Sequence, residues 1–154
     1  MCEFLSAIVK RDGEVLYRPE VDSHEMLVES FELSDGGLGQ FVRVEFVPAQ
    51  PRKLDEPDAY VLKVDGEECP AWFEDYRLKT TNYQRDKIRG MIISGERKIL
   101  IGGCHILSGA KIERVCGARI ISMKDSSIRE MRENSSVGEM WENGKIINDN
   151  RVKK

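Results

Sequence analysis

The sequence predicts an α+β chain. A small N-terminal α+β domain over residues 1–98, with a hairpin, further antiparallel strands and one long helix, precedes a short β-solenoid-like repeat segment over 99–150 and a polar tail at 151–154. Three observations predict this. Asp12-Gly13 stands between two strand-forming runs, an apolar stripe at helical spacing crosses residues 71–93, and a short unit recurs between Gly109 and Asn150.

At 154 residues the chain can bury one moderate core, or a small core with an attached repeat segment, and a large two-domain enzyme is excluded. With 40% hydrophobic and 33% charged residues it belongs with ordinary soluble chains, not disordered ones. The 27 acidic residues nearly balance the 24 basic ones, so there is no strong signal for nucleic acid or an anionic membrane. The apolar run at the N-terminus stops at Lys10, too short to span a bilayer, and a cytoplasmic location without membrane contact is expected. Cys2, Cys69, Cys104 and Cys116 form no Cys-x-x-Cys pair, so neither disulfides nor structural zinc is expected.

Ala7-Ile8-Val9 and Val15-Leu16-Tyr17, joined at Asp12-Gly13, read as a hairpin. Asp22-Ser23-His24-Glu25 offers a helix N-cap, with Glu three positions after Asp, for a short helix over 23–31. After the loop Ser34 to Gly39, Phe41 to Val47 alternates around Arg43 and Glu45, the pattern of a half-buried strand. Pro48 to Asp58 reads as an exposed connection, Tyr60 to Val64 as the next strand, and Asp65-Gly66 as a turn. Trp72, Phe73, Tyr76, Tyr83, Ile88, Met91 and Ile92 mark the long helix, with Thr80-Thr81-Asn82 a place where it could kink or break. Gly95 is expected to end it and Ile99-Leu100-Ile101 to be an apolar strand leading into the repeats.

The two clearest copies of the unit are residues 126–134 and 135–143, related by a nine-residue shift that keeps Ser-Ser, a β-branched residue, Glu, Met and Glu-Asn. Fainter copies carry Ile112 with Val115, Ile120 with Met123, and Ile146. One continuous helix is excluded, because nine residues at about 100° each rotate by about 900° and set Ile128 and Val137 on opposite faces. A straight strand fails too, since an odd period reverses its faces. Short strands joined by corners of Ser, Asn and Gly, stacked as a β-solenoid, satisfy the period. The rival reading takes Ser127-x-x-Glu130 and Ser136-x-x-Glu139 as capping boxes of short helices. A short solenoid leaves its last face open, so Met131, Met140, Trp141 and Ile146 are expected at an interface and a homo-oligomer through the repeat segment is expected.

Cys2 is the candidate nucleophile: once Met1 is removed, a free α-amine stands beside its thiol. His24, flanked by Asp22 and Glu25, is a candidate helper base, although neighbours on a helix do not face one another. The bland readings are a buried thiol and a solvated histidine at a helix start. His105 beside Cys104 reads as a strand residue rather than a metal ligand. Gly36-Gly37-x-Gly39 lacks the Lys-Ser/Thr of a phosphate loop. Arg43, Tyr76, Tyr83 and Arg85 could serve a nucleotide ligand through charge and stacking, against the simpler reading of a solvated helix face.

Met-Cys-Glu-Phe-Leu is similar to the opening of class II glutamine amidotransferases, which begin with Met-Cys and a β-strand; that similarity covers only these residues. More of the chain is matched by another likeness. Cys2-Glu3-Phe4-x-Ser6-Ala7-Ile8-Val9, Asp22-Ser23-His24-Glu25, Phe41-Val42-Arg43-Val44-Glu45 and the Ser-Ser-x-Val-Gly-Glu-Met-Trp unit resemble a family of small uncharacterised phage and prophage proteins. In these, such an N-terminal domain is joined to a variable number of Ser-Ser-x-Val-x-x-Met units. The resemblance implies a phage accessory role. The expectation is a non-catalytic protein, without cofactor, that acts by binding and self-assembly on a host protein or a small nucleotide signal. The alternative is an N-terminal-Cys amidohydrolase or transferase using Cys2.

Overall fold

Strand β1 (Leu5–Lys10) turns back into the short β2 (Val15–Leu16), giving the expected hairpin. Gly13 takes φ +80° in the turn, and Asp12 Oδ1 accepts the Glu14 N–H at 3.0 Å. This computed structural model describes residues 5–19, 21, 23–34, 39–66 and 69–151. The chain divides into two compact units, Met1–Lys87 and Ile88–Lys154.

In the first unit β3 (Phe41–Pro48) lies antiparallel between β1 and β4 (Tyr60–Asp65), for a sheet ordered β2-β1-β3-β4. The alternation in β3 works as read: Val42, Val44 and Phe46 are buried while Arg43 and Glu45 between them are half-buried. Ala7, Val9, Val42 and Val44 pack with Phe73, and Trp72 and Tyr76 close over the same face. Helix α1 (His24–Ser30) packs on β1. Its N-cap is Ser23, whose Oγ accepts the Met26 N–H, while Asp22 lies outside the described residues. The connection after β3 is less exposed than its prolines suggested. Leu54 is buried there, and its carbonyl accepts the Tyr60 hydroxyl at 2.8 Å.

Helix α2 (Glu74–Met91) follows a 3-10 turn at Ala71–Phe73. It does not break at Thr80-Thr81-Asn82, where the Thr81 hydroxyl donates to the Arg77 carbonyl at 2.9 Å and stays inside the helix. It ends at Met91, before Gly95, because Ile92 and Ile93 already pair in parallel with Ile106 and Leu107. Gly95 is instead a corner at φ +70° within strand β5 (Ile92–Ile101). Ile99-Leu100-Ile101 lies in that strand as read, with Leu100 packed against the core and Ile99 and Ile101 exposed.

The repeats form a β-solenoid of about four coils, not short helices. Its strands are β5, β6 (Cys104–Cys116), β7 (Arg119–Lys124), β8 (Ser127–Glu133), β9 (Ser136–Trp141) and β10 (Lys145–Arg151), paired in parallel throughout. Strand β6 bends at Gly109, φ +60°, so that its first part pairs with β7 and its second with β8. Two ladders result. One ends in β7 and β9, the other in β8 and β10. Each sequence unit is therefore half a coil, and every second unit stacks. Ile112, Ile128 and Ile146 form one column and Ile120 and Val137 another, around a core that includes Val115, Met123 and Met131.

The phase reversal demanded by the odd period is made at the corners. Gly95, Gly102 with Gly103, Gly109, Gly117, Asp125, Glu133 and Glu142 all have positive φ, at successive turns of the coil path. The first Ser of each Ser-Ser pair is buried just after the corner. Ser126 Oγ accepts the Ala110 N–H from the coil before at 3.0 Å and donates to the Lys124 carbonyl at 2.7 Å. Ser135 Oγ donates to the Arg132 carbonyl at 2.6 Å.

Candidate functional site

The last coil carries the candidate interface. Val137 and Ile146 are only partly buried against the core, and Met140 is 54% exposed although it stacks on the fully buried Met123. Trp141 is half-buried, with Nε1 donating to Glu139 Oε2 at 3.0 Å. Met131, expected at the same interface, lies one coil further in and is completely buried. The column above it ends in Asp149, whose carboxylate is gripped by Arg151. The two outer strands thus finish differently: β9 with apolar side chains toward the core column, β10 with a carboxylate. Beside them Glu130 accepts from Arg114 Nε at 3.0 Å and Arg132 Nε at 2.7 Å. First the Arg114 hydrogen bond and then that of Arg132 hold its carboxyl below the usual glutamate range.

His24 is buried, and both ring nitrogens are engaged. Nε2 lies 3.1 Å from the Val44 carbonyl and Nδ1 lies 3.1 Å from Asp65 Oδ2. A carbonyl can only accept, so Nε2 carries a proton and donates it there. This arrangement pins α1 to β3 and β4 and turns no lone pair toward a substrate. Asp65, far away in sequence, is the partner that sequence reasoning missed. Glu25 turns to Ser23, whose hydroxyl lowers its pKa. Cys2, Gly36 and Gly37 lie outside the described residues.

Arg43, Tyr76, Tyr83 and Arg85 do not converge. Val42 and Val44 face Phe73 and Tyr76, so Arg43, between them on the strand, lies on the opposite face of the sheet from Tyr76. Tyr76 meets Trp72 edge-on at 6.3 Å and leaves no room for a Cβ at Gly13. Lys87 lies 4.9 Å over the Tyr83 ring, and Arg85 Nε is 3.8 Å from Asp58. The same helix carries two further buried polar residues. Thr80 and Gln84 are fully buried, and neither the Thr80 hydroxyl nor the Gln84 amide has a hydrogen-bond partner among the described residues. Helical spacing placed both on the buried face, but their polarity concealed it. His105 closes the corner at Gly102-Gly103, Nε2 donating to the Gly102 carbonyl at 2.9 Å.

Among the described residues no group of three or more His, Cys, Asp or Glu is placed to hold a metal, and no helix is long and apolar enough to cross a membrane. In comparisons with known protein families, curated proteins and solved structures, none matches this chain.

Proposed function

We propose that the protein is a non-catalytic, phage-type accessory protein that acts by binding and self-assembly through the end of its solenoid. The observation that carries this reading is the last coil, where Met140 continues a fully buried core column yet is 54% exposed. Apolar surface in such a position gains free energy when covered, at about 25 cal/mol per Å². The engagement of both His24 nitrogens in structural hydrogen bonds also favours a binding role over catalysis assisted by that residue. Light scattering on the full chain across a range of concentrations tests the reading. A dimer or larger assembly is expected, and a strict monomer at every attainable concentration refutes self-assembly.

A further inference from the structure

The last coil presents two strand edges at once, and the rise of the solenoid decides how a second copy can meet both. Among the described residues, β9 pairs only with β7 and β10 only with β8, so the same edge of each is open. Coils stack about 4.8 Å apart, so β10, half a coil after β9, stands about 2.4 Å further along the solenoid axis. Ser136 and Lys145 give their N–H groups back to the coil before, to the Ala118 and Ser126 carbonyls at 3.0 Å each. The residues that follow, Val137 and Ile146, therefore turn their N–H and C=O groups to the open edge.

A two-fold axis across the strands would set each strand against its own copy, and the step forbids it. With β9 paired to its copy the two β10 strands would coincide, and with β10 paired the β9 strands would stand about 9.6 Å apart. A two-fold axis along the strands, midway between the two sheets, has no such conflict. It lays β10 of the second copy antiparallel over β9 and β9 of the second copy over β10, both at the same spacing, with inner sides facing inner sides.

This axis permits no sliding along the strands, so the coil itself sets the register. The corner between β9 and β10 is centred on Asn143, with the inner residues Met140 and Ile146 equally far to either side and Val137 and Asp149 equally far beyond them. Met140 thus meets Ile146 of the second copy. The buried column of Met123 and Met140 runs on into Ile146 and Ile128 of that copy. Val137 meets Asp149, whose charge is already answered by Arg151 on the same side of β10. On the outer face Trp141 meets Lys145, and Glu139, which accepts the Trp141 indole N–H, lies diagonal to the same ammonium. Opposite charges are therefore brought together at two symmetric places.

We infer that the end of the last coil is a self-complementary docking face: two copies join end to end about a two-fold axis along the strands, β9 of each pairing antiparallel with β10 of the other. This rests on the self-assembly reading and names its partner as a second copy of the chain.

Light scattering and cysteine cross-linking of the full chain test it. Met140→Lys is expected to convert the dimer to monomer with an unchanged circular dichroism spectrum, because the side chain is already half in solvent; if the spectrum changes, the cross-links decide alone. Across the seam Glu139 faces Ile147 of the second copy with Cα atoms about 5 Å apart. Within one chain these two positions lie on opposite sheets about 10 Å apart, as do the two copies of either position, beyond disulfide reach. The double variant Glu139→Cys with Ile147→Cys should therefore form a covalent dimer under mild oxidation, whereas each single variant and the unaltered chain should not. A well-folded Met140→Lys that still dimerises, a double variant that does not lock, or a single variant that does, overturns this seam and leaves self-assembly standing. So does a mass that keeps growing with concentration, the mark of head-to-tail stacking. A wild-type chain that never associates overturns both.

Discussion

Replacing Gly138 by alanine tests whether the last coil is held as described. The backbone of β9 runs so close to β7 at this point that an added Cβ would sit 2.6 Å from the Ile121 carbonyl oxygen. Carbon and oxygen in contact need roughly 3.3 Å, so the strands must part by about 0.7 Å. Parting by that much stretches a ladder hydrogen bond from about 2.9 Å to about 3.6 Å, beyond useful range. A cost of about 1–3 kcal/mol is expected, the usual penalty of overpacking. Because each coil touches only its neighbours, the loss should be local. Hydrogen exchange should show the amides of β9 losing protection by roughly one to two powers of ten while β1, β3 and β4 keep theirs. In thermal melts a unit of this size should lose roughly 4–8 °C per kcal/mol. Unchanged exchange in β9, with Gly138→Ala melting like the parent, would refute the close approach.

Three further outcomes are expected. Glu142 holds φ +56°, a conformation that costs a side-chain-bearing residue about 1–2 kcal/mol, and glycine gives back about 0.5–1 kcal/mol in chain entropy. Glu142→Gly should thus stabilise the solenoid by roughly 0.5–1 kcal/mol in urea titrations, and a loss of stability would contradict the corner assignment. Thr80→Val removes a buried hydroxyl that has no partner among the described residues and should stabilise the N-terminal unit by about 1 kcal/mol or more; destabilisation would mean the hydroxyl is bonded. The carboxyl of Glu130 is lowered in the folded chain, chiefly by Arg114, so its contribution to stability is complete above the ordinary glutamate value of 4.5 and fades as pH falls through the lower, folded one. Melting temperature should therefore decline on acidification below that value, and less steeply in Glu130→Gln; identical acid limbs would remove Glu130 from the account.

Much of the fold was legible because it rests on local patterns. The Asp12-Gly13 turn, the alternation around Arg43 and Glu45 and the nine-residue unit each state a backbone geometry through a few neighbouring residues. The early corners were legible as well: Gly102, Gly109 and Gly117 punctuate the coil path, but Asp125, Glu133 and Glu142 continue the series in residues that rarely take positive φ. Asp149 could also have been found, since it stands nine residues after Met140 at the place the unit gives to Met. By contrast, the length of the helix misled, because Ile92 and Ile93 fit its stripe and were claimed by β6 instead.

By itself, then, the sequence determined that the C-terminal half turns a corner in every unit, since no helix or straight strand can absorb an odd period. It also marked where the apolar columns run. Only the tertiary structure decided that two units make one coil, because stacking joins residues a whole coil apart. It placed the clean copies on opposite ladders, buried Met131 and left Met140 at the edge. It likewise paired His24 with Asp65 and set Arg43 and Tyr76 on opposite faces of one sheet. Those outcomes depend on which strands meet, a matter of long-range packing that no local pattern encodes.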